Sequence, residues 1–468
     1  MMEKNKELFI NTIIIFIGKF CTQFVSFLLI PIYTHYLLTA DYGYIDLVQT
    51  YITLLAPIII LRFDSAIFRF LIDCRKNDDK KSEVISSSFY LILLQIIILI
   101  LIFIPLSFFI KFDYSIAILL NIIFVSISSF LLQLTRGIGK NIDYSIGSII
   151  SAIITIGLNI LLIVKFRYNA ASILYASAVA NIACSLFLIF KNKIYKYLSL
   201  KKFSSKKLKE MLKYSLPMIP DGLSWWIVNV SDRTIITIFI NSAANGIYAV
   251  SSKFSNILSS IFQIFNMSWQ ESASIHIKDD DRDLFFTDIL NKTYVIFYSC
   301  CILILVSMPF VFQFFIGKEY LEAYKYVPIL LFGNLFSAIA NVIGGVYIAK
   351  KETNKVARTT VMAAIINILI NVSLIKIYGL YAAAFSTLIS YIVVALYRYI
   401  DVNKTINMKF NYNMLIITMM IFTFSTIIYY INNVILNLLN LLIIIIILII
   451  FNRNIILIVL KKIRRLKK

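Results

Sequence analysis

Charge is scarce in this chain. Charged residues make up 15% of its 468 positions, with 24 acidic against 45 basic. Soluble domains hold about a quarter, so a soluble enzyme and a disordered chain are excluded. Cys21, Cys74, Cys184, Cys300 and Cys301 are odd in number, lack metal-ligand spacing and mostly sit in apolar runs. That excludes a disulfide-stapled secreted domain and reads as packed free thiols. There are two histidines, His35 and His276, which fit neither a metal site nor a membrane acyltransferase well. Gly139-Lys140 lacks the earlier glycine of a P-loop, which excludes an ATPase. Asp279-Asp280-Asp281 with Asp283 lacks the glycine and spacing of a calcium loop and reads as a solvated turn. No cofactor is expected.

Hydrophobic residues, by contrast, reach 60%. Apolar runs predict helices over 8–32, 42–62, 84–110, 114–134, 142–164, 168–190, 214–240, 244–270, 288–316, 326–349, 356–377, 379–400, 411–431 and 434–452. Each is long enough to span a bilayer. The expected fold class is therefore an all-α polytopic membrane protein with about 14 transmembrane helices. The first run follows Lys4 and Lys6 but shows no cleavage pattern and is interrupted by Lys19, so it reads as an uncleaved span. The net charge of +21 does not indicate nucleic acid, because the charge lies in short segments between apolar runs. With the N-terminus inside, 32 Lys and Arg fall on inside segments and 5 on outside ones. This bias predicts that both termini are cytoplasmic.

The segment 191–213 carries nine lysines and reads as a basic cytoplasmic linker and topology anchor. It separates an N-terminal six-helix bundle, 1–190, from a second, 214–400. Residues 401–468 hold two extra helices and a basic tail, 453–468, expected to lie on anionic lipid. The two bundles read as pseudo-symmetric repeats. Asn159 precedes Ala170-Ala171 as Asn371 precedes Ala382-Ala383, an offset of 212 residues. Asp41-Tyr42-Gly43 and Ala244-Asn245-Gly246 correspond at an offset of 203.

The main chemical signal is a polar stripe on the eighth helix: Ser252, Ser255, Asn256, Ser259, Gln263, Asn266 and Gln270. These spacings define one helical face. The stripe reads either as hydrogen bonding between helices or, because it runs the depth of the membrane, as the lining of a wet cavity. The second helix carries Asp46, Gln49, Thr50 and Thr53 on one face. The first carries Thr12, Lys19, Thr22, Gln23 and Ser26. Lys19 lies ~18 Å from either surface, too deep to reach water, so it needs a partner, water or an anionic ligand. Arg233 and Lys253 are ~10–12 Å deep and either face the cavity or snorkel. Arg62 and Arg69 either line the inner mouth or serve as topology signals. Asp221 and Asp232 on the seventh helix either couple transport to H⁺ or Na⁺ or form a structural pair with a nearby cation. Pro217 and Pro220 loosen the start of that helix.

These residues resemble a known family. Leu216-Pro217, Ile219-Pro220, Ser231-Asp232-Arg233 and Gly246-Ile247-Tyr248, within 211–254, look like the start of the second half of bacterial polysaccharide transporters. Ala40-Asp41-Tyr42-Gly43 and Phe68-Arg69-Phe70 agree in the first half. The whole chain is similar to Wzx-type O-antigen or capsule repeat-unit flippases, in the superfamily of MATE exporters and lipid II flippases. The resemblance implies a protein of the inner membrane, not an enzyme, that moves undecaprenyl-pyrophosphate-linked oligosaccharide to the periplasmic leaflet by alternating access. It implies membrane lipids, H⁺ or Na⁺, a polysaccharide polymerase and a chain-length regulator as partners. In that setting Lys19, Arg233 and Lys253 offset the pyrophosphate, the stripe hydrogen-bonds sugar, and Gln23, Asp46 and Gln49 line the cavity. Trp225, Trp226 and Trp269 either stack on sugar or anchor and pack. The alternatives are an ion-coupled drug exporter, which would prefer an acidic cavity, and a membrane enzyme of glycan assembly, which the short outer loops disfavour.

Lys19→Ala is expected to abolish transport while the protein still inserts, and Lys19→Arg to be milder. Full transport by Lys19→Ala removes Lys19 as an anion contact.

Overall fold

The computed structural model describes residues 25–109, 113–219 and 231–453. Among them the regular structure is entirely helical. The chain divides into two compact units, Met1–Val230 and Ser231–Lys468. Lys19, Gln23, Asp221, Pro220, Trp225, Trp226 and the basic tail from 454 onward lie outside the described residues.

In unit 1 the helices are α1 (Ile30–Tyr36), α2 (Thr39–Ile59), α3 (Phe63–Cys74), α4 (Asp78–Phe109), α5 (Ser115–Gly137), α6 (Asn141–Asn159), α7 (Ala171–Lys191) and α8 (Ser205–Ser215). α6 continues as a π-helical turn, Ile160–Lys165. α5 packs against α2, α3, α6 and α7. Its core residues Phe130, Leu131 and Leu134 meet Phe63, Ile67 and Leu71 of α3.

The helix expected at 42–62 corresponds to α2, which ends three residues earlier, and a further helix, α3, follows it across the segment expected to lie outside the membrane. α2 and α3 form a bent pair with an angle of 47° between them. Pro57 lies in the last turn of α2, where it supplies no N–H and crowds the preceding turn. Leu61 and Arg62 then take left-handed backbone angles, φ 48° and 56°. Such angles in non-glycine residues cost roughly 1–3 kcal/mol each. Complete burial of Ile60, Phe63, Ala66 and Ile67 around the break offsets that cost.

In unit 2, residues 231–239 are helical. They are followed by α9 (Ser242–His276), α10 (Arg282–Phe315), α11 (Val327–Ala349), α12 (Thr353–Tyr378), α13 (Leu380–Asn403), α14 (Tyr412–Ile431) and α15 (Val434–Phe451). Asn241, Asn411 and Asn433 cap α9, α14 and α15, each accepting from a backbone N–H of the first turn. α11 is the central helix, packed on α9, α10 and α13. Its small residues allow this: Gly333 meets the Leu388 backbone, Gly344 the Arg398 guanidinium and Gly345 the Trp269 indole. Gly379, at φ 57°, turns α12 directly into α13, an angle that favours glycine.

Ten described helices are long and apolar enough to cross a membrane, or eleven if the bent pair counts as one span. The expected first span falls largely on undescribed residues, and the expected seventh includes the undescribed stretch 220–230. α9 has the length, at 35 residues, but its polar stripe keeps it out of the apolar set. Several helices also outrun their expected bounds. α4 starts at Asp78 rather than 84, α9 ends at His276 rather than 270, and α10 starts at Arg282 rather than 288. Hydropathy marks where hydrocarbon begins, whereas the helix continues through its polar end.

Gly345→Val is expected to push the Trp269 indole off the Val342 carbonyl and to cost about 2 kcal/mol in detergent unfolding. Gly157, with open space around it, is the control: Gly157→Ala is expected to be neutral or to stabilise by about 0.5 kcal/mol.

Candidate functional site

The most developed polar constellation lies inside unit 2 and centres on Asp232, which is buried. Its Oδ2 accepts hydrogen bonds from the Tyr248 hydroxyl of α9 at 2.8 Å and the Thr387 hydroxyl of α13 at 2.7 Å. Its Oδ1 accepts from Nδ2 of Asn371 on α12 at 2.9 Å. One turn earlier on α12, Asn367 donates to Ser386 at 3.3 Å and to Thr387 at 3.1 Å, and accepts from Ser231 at 3.4 Å. The turn at Gly379 explains the register. Asn371 and Thr387 are equally far from it along α12 and α13, so the two helices carry them to the same depth, ~12 Å from the turn. The Oδ1 of Asn371 is buried and has no hydrogen-bond partner among the described residues.

This arrangement is rich in oxygen acceptors around one carboxylate. It can take up a proton, or a small cation held by carboxylate, amide and hydroxyl oxygens. Either would neutralise Asp232 and release the Tyr248 and Thr387 hydroxyls from it. Among the described residues no group of three or more His, Cys, Asp or Glu side chains comes together to hold a metal ion. Sequence reasoning singled out Asp232 but missed Tyr248, Asn367 and Thr387, and used Asn371 only as a repeat marker. Two amides spaced i, i+4 in an otherwise apolar helix were the available signal. In unit 1, Asn159 is likewise buried, and there the Tyr33 hydroxyl donates to its Oδ1 at 3.1 Å.

The stripe on α9 divides. Ser252 and Ser255 are buried and donate to carbonyls of their own helix, Tyr248 and Ser252. Asn256 and Gln263 are exposed, and Ser259, Asn266 and Gln270 are half-buried. The opposite side, with Phe254, Leu258, Phe262 and Trp269, is buried. The accessible polar residues therefore run from Asn256 to Gln270, ~21 Å along the helix. Trp269 belongs to the packing: its indole N–H donates to the Val342 carbonyl at 2.9 Å.

The candidate cations have different surroundings. Arg233 and Lys253 are half-buried in unit 2. Arg62, in unit 1, is half-buried at the α2–α3 break, 3.9 Å from Asp64 and 3.4 Å from Ser65. Arg69 is exposed and paired with Asp73 at 2.7 Å. On α2, Asp46 and Thr50 are buried and Gln49 is half-buried.

Arg398, absent from the sequence-based candidates, is the most deeply buried cation among the described residues of unit 2, 3% exposed. It forms no ion pair among the described residues. It donates to the Ala340 carbonyl and the Thr359 hydroxyl, each at 2.9 Å, and to Thr360 at 3.3 Å. These bonds tie α13 to α11 and α12. Unit 2 also has a mainly apolar groove of about 460 Å³ between α11, α13 and α14, lined by Phe332, Tyr381, Phe385, Phe422 and Tyr430 among others.

Membrane-length helices with a buried carboxylate, amides and a guanidinium among them define a polytopic helical membrane protein. The chain belongs to the polysaccharide biosynthesis protein family, whose model matches residues 8–269. Over 225 residues it is 25% identical to the probable low-salt glycan biosynthesis flippase Agl15 of Haloferax volcanii. That alignment covers 46% of each protein, so the chain spans just under half the length of this curated relative. Among solved structures it resembles a multidrug resistance MATE family transporter of the MOP superfamily in an inward-facing conformation. The TM-score is 0.70 at 12% identity, over 82% of this chain and 94% of that one. It also resembles lipid II flippase MurJ in an inward closed conformation, with a TM-score of 0.68 at 17% identity, over 96% and 100%. At these identities the likeness establishes the fold.

Arg398→Ala is expected to destabilise unit 2 by about 3 kcal/mol, through lost charge-assisted hydrogen bonds and a cavity. Arg69→Ala, which removes an exposed pair, is expected to leave the unfolding temperature unchanged.

Proposed function

We propose that the protein is a flippase. It moves undecaprenyl-pyrophosphate-linked oligosaccharide repeat units, of O-antigen, capsule or a related polysaccharide, from the cytoplasmic to the periplasmic leaflet by alternating access. The observation that carries this reading is the family match over residues 8–269. The similarity to a glycan biosynthesis flippase supports it. The chemistry is consistent: a hydroxyl-rich head group calls for the accessible amides and hydroxyls of α9, and a pyrophosphate calls for cations. In this reading Lys19, Arg233 and Lys253 meet the pyrophosphate, and Arg62 and Arg69 stand at its entry. The polar side chains Gln23, Asp46, Gln49, Asn256, Ser259, Gln263 and Asn266 face the sugars. An apolar chain remains in lipid or in a groove between helices.

Asp232 is the proposed ion-coupling residue, with H⁺ or Na⁺ as the ion. The Oδ1 of Asn371 beside it, without a partner among the described residues, supports a cation as the guest, because that oxygen can only accept. Asp221 is proposed as its companion. The protein is placed in the bacterial inner membrane with both termini cytoplasmic, working beside a polysaccharide polymerase and a chain-length regulator. An ion-coupled exporter is the second reading, favoured by the MATE likeness.

The test is lipid-linked intermediates and surface polysaccharide in a deletion strain. The expected result is loss of surface polysaccharide with single lipid-linked repeat units accumulating on the cytoplasmic side. Unchanged polysaccharide favours the exporter. Repeat units left unpolymerised on the periplasmic side favour a polymerase.

A further inference from the structure

The basic segment 191–213 is expected from sequence to be a solvated linker, yet in the structure it is a folded part of unit 1. It forms 3-10 turns at Ile194–Tyr197 and Leu200–Lys202, then α8. Serines in the first turns of α4 hold its backbone. Ser86 donates to the Tyr197 carbonyl at 2.9 Å and accepts from the Ser199 N–H at 3.0 Å. Ser87 accepts from the Ser204 N–H at 2.9 Å. Lys202 pairs with Asp79 of α4 at 2.7 Å. Ile194 and Met211 are buried beneath the segment.

This anchoring fixes what points outward. Lys193, Lys196, Lys201, Lys206, Lys209 and Lys213 are exposed and form no ion pair among the described residues. Between them, Tyr195, Leu200 and Phe203 are exposed at 50%, 75% and 44%. A solvated linker has no reason to hold a leucine and a phenylalanine in water on a fixed backbone. Cations interleaved with exposed apolar and aromatic side chains are the composition of a surface seated at the headgroup layer. The depth agrees. The lipid-facing residues of α4 begin at Leu93, Leu94 and Ile97, which are exposed, and Leu93 is ~10 Å along the helix from Ser86.

We propose that residues 193–213 form a built-in binding surface for anionic phospholipid headgroups of the surrounding bilayer. Lysine ammonium groups meet the phosphates, while Leu200 and Phe203 enter the acyl boundary. The serines of α4 are positioning residues that hold this surface at the headgroup level. The inference rests on α4 spanning the membrane and is independent of the transported substrate.

The test uses the delipidated full-length protein in detergent, titrated with phosphatidylglycerol or phosphatidylcholine, with lipid adducts resolved by native mass spectrometry. Phosphatidylglycerol is expected to bind more tightly than phosphatidylcholine. The triple variant Lys193→Gln/Lys196→Gln/Lys201→Gln is expected to weaken phosphatidylglycerol binding by about tenfold or more. Lys318→Gln/Lys325→Gln, which leaves the segment untouched, is expected to have no effect. Ser86→Ala/Ser87→Ala, checked for an intact fold by thermal unfolding, is expected to weaken binding with every lysine in place. Unchanged binding in the lysine variant overturns the proposal, as does equal binding of the two lipids. Displacement of the lipid by an equal concentration of inorganic phosphate also overturns it, since the site would then read free phosphate.

Discussion

A carboxylate taken into the hydrocarbon of a bilayer loses its hydration, and the penalty falls only if protein donors replace the lost water. Asp232 has those donors. Tyr248, Asn371 and Thr387 reach it from three different helices, so α9, α12 and α13 must be in register before the carboxylate is tolerated. The short turn at Gly379, the close packing of α11 through its glycines, and the Arg398 bonds across α11, α12 and α13 all contribute to that register. Much of unit 2 is therefore organised around the cost of one buried charge.

At Asn159, the expected repeat counterpart of Asn371, unit 1 has no carboxylate among the described residues. Its buried asparagine faces a tyrosine hydroxyl rather than a carboxylate, and its strain is in the backbone, at Leu61 and Arg62. A charge-free buried pair responds weakly to ions, whereas a carboxylate beside an amide oxygen that has no partner among the described residues responds strongly. On this account the Asp232 site, rather than the Asn159 pair, is the one that responds to ions. The basic segment of unit 1, held by Ser86 and Ser87, addresses the lipid surface.

The ten apolar spans among the described residues were legible in the sequence because long isoleucine and leucine runs set hydrocarbon length directly. The bend between α2 and α3 was less so, since Pro57 signals a disturbance but not whether two buried left-handed residues will absorb it. The fixed fold of 191–213 was hidden because nine lysines dominate its composition, and the serine contacts from α4 are non-local. For the site, Asp232 stood out as an acid in an apolar run. Its partners did not, because asparagine, threonine and tyrosine are common helix-packing residues and only the α12–α13 register brings them together. The α9 stripe was visible as a face. Its division into back-bonded serines and accessible amides needed the packing of α9 against α10 and α11. Arg398 was missed because its position near a helix end made it look like one more topology signal.

The proposed function, the polysaccharide biosynthesis family and the buried Asp232 carboxylate meet in one proposal: ion occupancy at Asp232 drives the movement of an anionic lipid-linked glycan. The most direct measurement is transbilayer movement of a defined undecaprenyl-pyrophosphate-linked oligosaccharide in proteoliposomes, with imposed Na⁺ or H⁺ gradients, for the wild type and Asp232→Asn. The account predicts that one gradient accelerates movement in the wild type and neither does in Asp232→Asn, with both proteins equally folded. Movement at the wild-type rate and with the wild-type gradient response in Asp232→Asn would contradict it.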